Sequence, residues 1–103
     1  MQEVEIDAFA VAHASGAPVV DVREPHEYRR GHVPGAQLIP LGVVPLRIRD
    51  LPKDRPVYVI CASGHRSYAA AQGMARAGID ARSVRGGTRA WTKAGRPLSL
   101  GKQ

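Results

Sequence analysis

Short apolar runs alternate with amphipathic, alanine-containing stretches along the whole chain, and Pro or Gly falls at nearly every boundary. The first stretch, Ala8 to Ala14, predicts a helix capped by Asp7 and stopped by Gly16. Pro18-Val19-Val20-Asp21-Val22 is short and β-branched, which predicts a strand. Pro25 opens a short helix to Arg30 that Gly31 ends, because proline suits the first helical turn. Val33-Pro34-Gly35 is a turn, and Ala36 to Ile39 reads as a second strand. Val43 to Leu51 suits a helix, with Pro45 in its first turn and Pro52 beyond its end. Val57 to Ile60 is wholly apolar, as in a strand covered on both faces. Ser67 to Ala77 predicts an alanine-rich helix ended by Gly78, with interior Gly73 implying a close packing contact. Ala81 to Val84 is a last strand, Gly86-Gly87 a turn, and Thr88 to Trp91 a helix that stops at Gly95. Alternating strands and helices predict an α/β fold: a mostly parallel sheet with helices on both faces.

Composition narrows the class. The chain has 103 residues, enough for one core, so a single domain over residues 1–103 is expected. No apolar run reaches the roughly 18 residues of a membrane span. The acidic start, Met1-Gln2-Glu3-Val4-Glu5, lacks the pattern of a secretory signal, so a cytoplasmic location and no membrane partner are expected. A monomer is the default state.

Charge is unevenly placed. Residues 1–54 carry six Lys/Arg against eight Asp/Glu, whereas residues 55–103 carry nine Lys/Arg against Asp80 alone. Aromatics are only 5% and do not interleave with the basic residues, which argues against nucleic acid. Most of these cations read as a solvated surface; those near the cysteine suit small anions.

Cys61 is the only cysteine, so an internal disulfide is impossible and a lone thiol is the chemistry on offer. His13, His26 and His32 have no ligand spacing, and neither a metal nor a cofactor is expected. Cys61 follows the most apolar strand directly and precedes Ala62-Ser63-Gly64-His65-Arg66-Ser67 and a helix. Ligands of parallel sheets bind at the carboxyl ends of the strands, so Cys61 should stand exposed in that crevice. Amides of the turn and the positive helix end favour an anion there, and favour thiolate over thiol. Gly64 lets the backbone approach the sulfur, and Arg66 offers a planar fork to sulfonate oxygens. His65 reads as an exposed loop residue and His32 as bonding its own turn. Asp21 with Arg23 lies at the strand end nearest the crevice, and with Glu27 and Tyr28 reads first as fixing the fold. Trp91 reads as core.

Four segments together resemble the rhodanese-like sulfurtransferases: Asp21-Val22-Arg23-Glu24 with Glu27-Tyr28; Gly31-His32-Val33-Pro34-Gly35-Ala36 with Pro40; Cys61 through Ser67; and Gly86-Gly87 with Trp91, Gly95 and Pro97. The resemblance implies a rhodanese-like α/β domain around a central, mostly parallel, five-stranded sheet. It implies Cys61 as nucleophile and persulfide carrier. Ala62, Ser63, Gly64, His65, Arg66 and Ser67 would hold the sulfur compound, with Asp21 and Arg23 supporting the loop. The implied partners are a small sulfur-containing anion such as thiosulfate and a thiol or cyanide acceptor, a protein thiol included. Two other readings stay open: phosphatase or arsenate-reductase chemistry on the same fold, and a non-catalytic partner-binding module. Phosphatases of this fold place five residues between cysteine and arginine; here there are four, Ala62 to His65, a ring sized for one sulfur atom.

Overall fold

The computed structural model describes residues 1–102. Five parallel strands form one sheet: β1 (Gln2–Val4), β2 (Val19–Asp21), β3 (Gln37–Leu38), β4 (Val57–Ile60) and β5 (Ala81–Val84). Their spatial order is β1-β5-β4-β2-β3. Asp21 pairs in register with Ile60, and Val59 with Ser83. The helices are α1 (Ile6–Ala14), α2 (Pro25–Arg30), α3 (Val44–Arg47), α4 (His65–Arg76) and α5 (Gly87–Lys93). None is long and apolar enough to cross a membrane.

Each sheet face has its own packed layer. On one side Val57, Val59 and Ala81 meet Ala70, Ala71 and Met74 of α4 and Val44 of α3. On the other, Val19, Tyr58, Ile60 and Val84 meet Phe9 and Ala10 of α1, Tyr28 of α2 and Trp91 of α5. Strand side chains alternate between the two faces, so β4 feeds both layers and is buried at all four positions. The expected two-faced α/β architecture is therefore present.

Several local expectations are corrected. Strand β1, which the hydrophobic pattern does not predict, lies at the sheet edge with Gln2 and Glu3 exposed and Val4 half-buried. The cap of α1 is Glu5, not Asp7; Asp7 sits in the first turn, where its charge still complements the helix dipole. The expected helix over 43–51 is a 3-10 turn (Leu41–Val43), the four-residue α3, and a second 3-10 turn (Ile48–Asp50). Pro52 holds Leu51 in extended backbone, so the chain closes in a tight 3-10 turn at Asp50 instead of completing the helix. The alanine-rich helix starts two residues earlier than expected, at His65, which is thus helical rather than looped. Gly73 makes no close contact: a Cβ built there meets nothing within 4 Å.

Candidate active site

The order in which parallel strands are added reverses between β2 and β4: β3 lies outside β2, while β5 lies outside β4. Loops leaving the two strands part there and open a crevice at their carboxyl ends. Arg23 follows β2 and Cys61 follows β4, so both stand at this point.

Alternation along β4 sends Cys61 to the same side as Val57 and Val59, toward α4. The residue is only 1% exposed, so the expected exposed sulfur is in fact seated beneath its loop. The loop amides nevertheless converge on it. The Gly64 N–H donates to Sγ at 3.1 Å, and the Ser67 hydroxyl oxygen lies 3.5 Å from Sγ. Burial pushes the Cys61 thiol up. The Ser67 hydroxyl and the amides of Ser67, Gly64 and Ser63 outweigh it and hold the group below the ordinary thiol value.

Gly64 has φ +108°, a left-handed conformation that turns its N–H back to the sulfur and starts α4. Gly87 secures the loop from the other side. A Cβ there would strike the Cys61 carbonyl and lie 2.8 Å from Ala62 backbone atoms. Its absence lets the start of α5 close on the loop. The Thr88 N–H and hydroxyl donate to the Cys61 carbonyl at 2.8 and 3.0 Å, and the Arg89 N–H donates to the Ala62 carbonyl at 3.1 Å. With these carbonyls engaged outward, the amides of the turn are left to face the sulfur.

Arg66 departs from expectation. Its fork is bidentate on Glu27, with Nη1 to Oε1 at 2.7 Å and Nη2 to Oε2 at 2.9 Å. The guanidinium thus braces α4 against α2 instead of standing open to sulfonate oxygens. The Arg66 hydrogen bonds hold the Glu27 carboxyl at about 2, from an ordinary 4.5. Asp21 is fully buried and takes Arg23 by its main-chain N–H and its guanidinium, while Arg23 Nη2 also donates to the Gly31 carbonyl at 2.8 Å. The pair locks the β2–α2 loop beside the cysteine turn. His65 is exposed and reaches only the Ser63 hydroxyl, at 3.3 Å. His32 is fully buried, stacks on Tyr28 at 3.6 Å between ring centroids and bonds the Tyr28 carbonyl through Nδ1.

Beside the loop lies a cleft of about 440 Å³ lined by Arg23, Ala62, Thr88, Arg89, Thr92 and Lys93. It holds three cationic side chains and no carboxylate. Sequence reasoning stopped at Gly86-Gly87 and missed Thr88, Arg89 and Lys93; the run Thr88-Arg89 directly after that turn was the available signal. It also missed Ser83, buried next to Ser67 with the hydroxyls 2.9 Å apart.

The rhodanese-like domain family matches this chain over residues 7–94. The chain belongs to that family. Among relatives of this rhodanese-like chain, a sulfurtransferase of Allochromatium vinosum is 38% identical over 101 residues, covering 95% of this chain and 94% of that protein. A Bacillus subtilis protein, YrkF, is 39% identical over 93 residues; these are 87% of this chain but only 50% of that protein. A rhodanese-related protein of Thermoplasma volcanium superposes with TM-score 0.91 at 29% identity, over 97% of this chain and 99% of the other.

Proposed function

We propose that this rhodanese-like chain is a sulfurtransferase that carries a sulfane sulfur as a persulfide on Cys61. The observation that carries the reading is the sulfur seat itself: one thiol, ringed by amide donors and a hydroxyl, held below its ordinary ionisation value. Among the described residues no histidine or carboxylate bonds the sulfur. Sulfur transfer needs none, because no proton moves. The thiolate attacks the outer sulfur of a donor such as thiosulfate; the Cys61 S–S bond forms, the donor S–S bond breaks, and sulfite leaves with the bonding electrons. An acceptor thiolate or cyanide then attacks the outer sulfur, and Cys61 departs as thiolate. Amides already aimed at the sulfur stabilise its charge at both ends of the cycle. Arg89 and Lys93, which have no carboxylate partner among the described residues, line the adjoining cleft and draw an anionic donor to it.

Phosphatase chemistry fits less well. It needs a guanidinium free to grip phosphoryl oxygens, and the Arg66 fork is taken by Glu27. A non-catalytic module has no use for a buried thiol held below its ordinary value by loop amides and a hydroxyl.

Intact-mass measurement after incubation with thiosulfate tests the reading. The expected result is a gain of one sulfur per chain, removed by cyanide with release of thiocyanate. Cys61→Ser should show no gain and only background turnover. Hydrolysis of an aryl phosphate without thiocyanate formation would overturn the assignment.

A further inference from the structure

On β5, Ala81 and Ser83 point to the face that α4 covers. Ala81 meets that layer as an apolar residue should. Ser83 is fully buried there with a hydroxyl, and its recorded side-chain partner is Ser67, at 2.9 Å between the oxygens. A buried hydroxyl without a partner is costly, so a strand serine facing an alanine-rich helix calls for a reason.

We infer that Ser83 is a positioning residue: its hydroxyl donates to Ser67 and thereby turns the Ser67 proton onto the Cys61 sulfur. The proton count supports this direction. Two hydroxyls hold two protons. If Ser67 donated to Ser83, the Ser83 proton would have no acceptor. If Ser83 donates to Ser67, both protons are used, because Ser67 can donate onward to Sγ at 3.5 Å or to the Gly64 carbonyl at 3.2 Å. That carbonyl already accepts the Tyr68 N–H, so it does not need the hydroxyl. An ionised sulfur does need it, and the charged acceptor takes the stronger bond. When the sulfur carries its own proton, the thiol donates to Ser67 Oγ and Ser67 turns to Gly64. Ser83 donates to Ser67 in both states, and only the Ser67 proton changes partner with the charge on Cys61, a short relay with no covalent change in either serine.

The charged and titratable groups around the loop are His65, Arg66 and Tyr68 on α4, Glu27 on α2, Asp21 at the end of β2 with Arg23 beyond it, Glu3 on β1 with Glu5 just after it, and Arg85 and Arg89 around the start of α5. Replacing Ser83 by alanine changes none of them. The relay deepens the sulfur-transfer reading, yet it concerns ionisation alone. The two therefore fail separately, one by thiolate titration and the other by turnover.

Because Cys61 is the only cysteine, thiolate absorbance near 240 nm reports it directly. Ser83→Ala should raise the titration midpoint by about 0.5–1 pH unit, leaving three- to tenfold less thiolate below the midpoint. Ser67→Ala should raise it at least as far. In the Ser67→Ala background, Ser83→Ala should add nothing, since its effect runs through Ser67. A midpoint unmoved by Ser83→Ala, or moved equally with and without Ser67, would overturn the relay. Circular dichroism of each variant checks that the fold is retained. If the midpoints move as expected while the wild type forms no thiocyanate, the relay stands and the sulfur-transfer reading falls.

Discussion

At the scale of single residues, Glu27 shows how an ion pair near the site writes itself into stability. Its carboxyl is held at about 2 in the fold by the Arg66 guanidinium, against 4.5 ordinarily. A depressed carboxyl stabilises the folded state above its unfolded value, and that contribution fades as pH falls from about 5 toward 2. Arg66 is partly open to solvent, which screens the pair, so its worth is about 1–2 kcal/mol. Urea denaturation of the wild type and Glu27→Gln should show that gap at pH 7 and its closure near pH 2.5. A gap independent of pH would mean that the pair contributes nothing through charge. Local pattern could not reveal this partnership. Arg66 and Glu27 are 39 positions apart, and nothing in either neighbourhood marks the other as its partner. The placement of Cys61 and Gly64 was legible because it depends on adjacent residues: an apolar strand before them, a turn between, a helix after.

At the scale of elements, α4 holds an internal weakness unrelated to the sulfur. Gly73 lies inside the helix with no neighbour near a would-be Cβ. The sequence suggested a tight contact there, and the structure shows open space instead. Gly73→Ala should therefore stabilise the protein by about 1 kcal/mol, through helix propensity and a less flexible unfolded chain. Thermal melts should show a higher Tm with unchanged sulfur loading. A lower Tm would reveal an obstruction the geometry does not contain. The other elements divide by how much of their burial is local. Strand β4 announces itself through four consecutive apolar residues, whereas β1 is a strand only because β5 offers it an edge. Ser83 stayed hidden for a related reason: a lone serine in a short strand signals nothing until the facing helix is in place.

At the scale of the whole molecule, the uneven charge of the two halves is partly cancelled by folding. Arg66 meets Glu27, and Arg85 meets Glu3 and Glu5, so acidic residues of the first half neutralise arginines of the second. Arg89 and Lys93 have no such partner among the described residues, and both line the cleft beside Ala62. Replacing both by alanine should raise KM for thiosulfate about five- to tenfold at low ionic strength, with a smaller penalty in concentrated salt. An unchanged KM would remove these cations from donor capture. The overall architecture was readable from alternating strands and helices, but this cleft was not, because the three segments that line it meet only after the sheet has formed.

The depth of Cys61 has one more outcome on the proposed reading. A second sulfur bonded to it stands about 2 Å farther out than the first. The anchoring atom is shut away beneath the turn, while the atom to be delivered is the one an incoming acceptor reaches. On that reading the cargo would be handed over without exposing the sulfur that holds it.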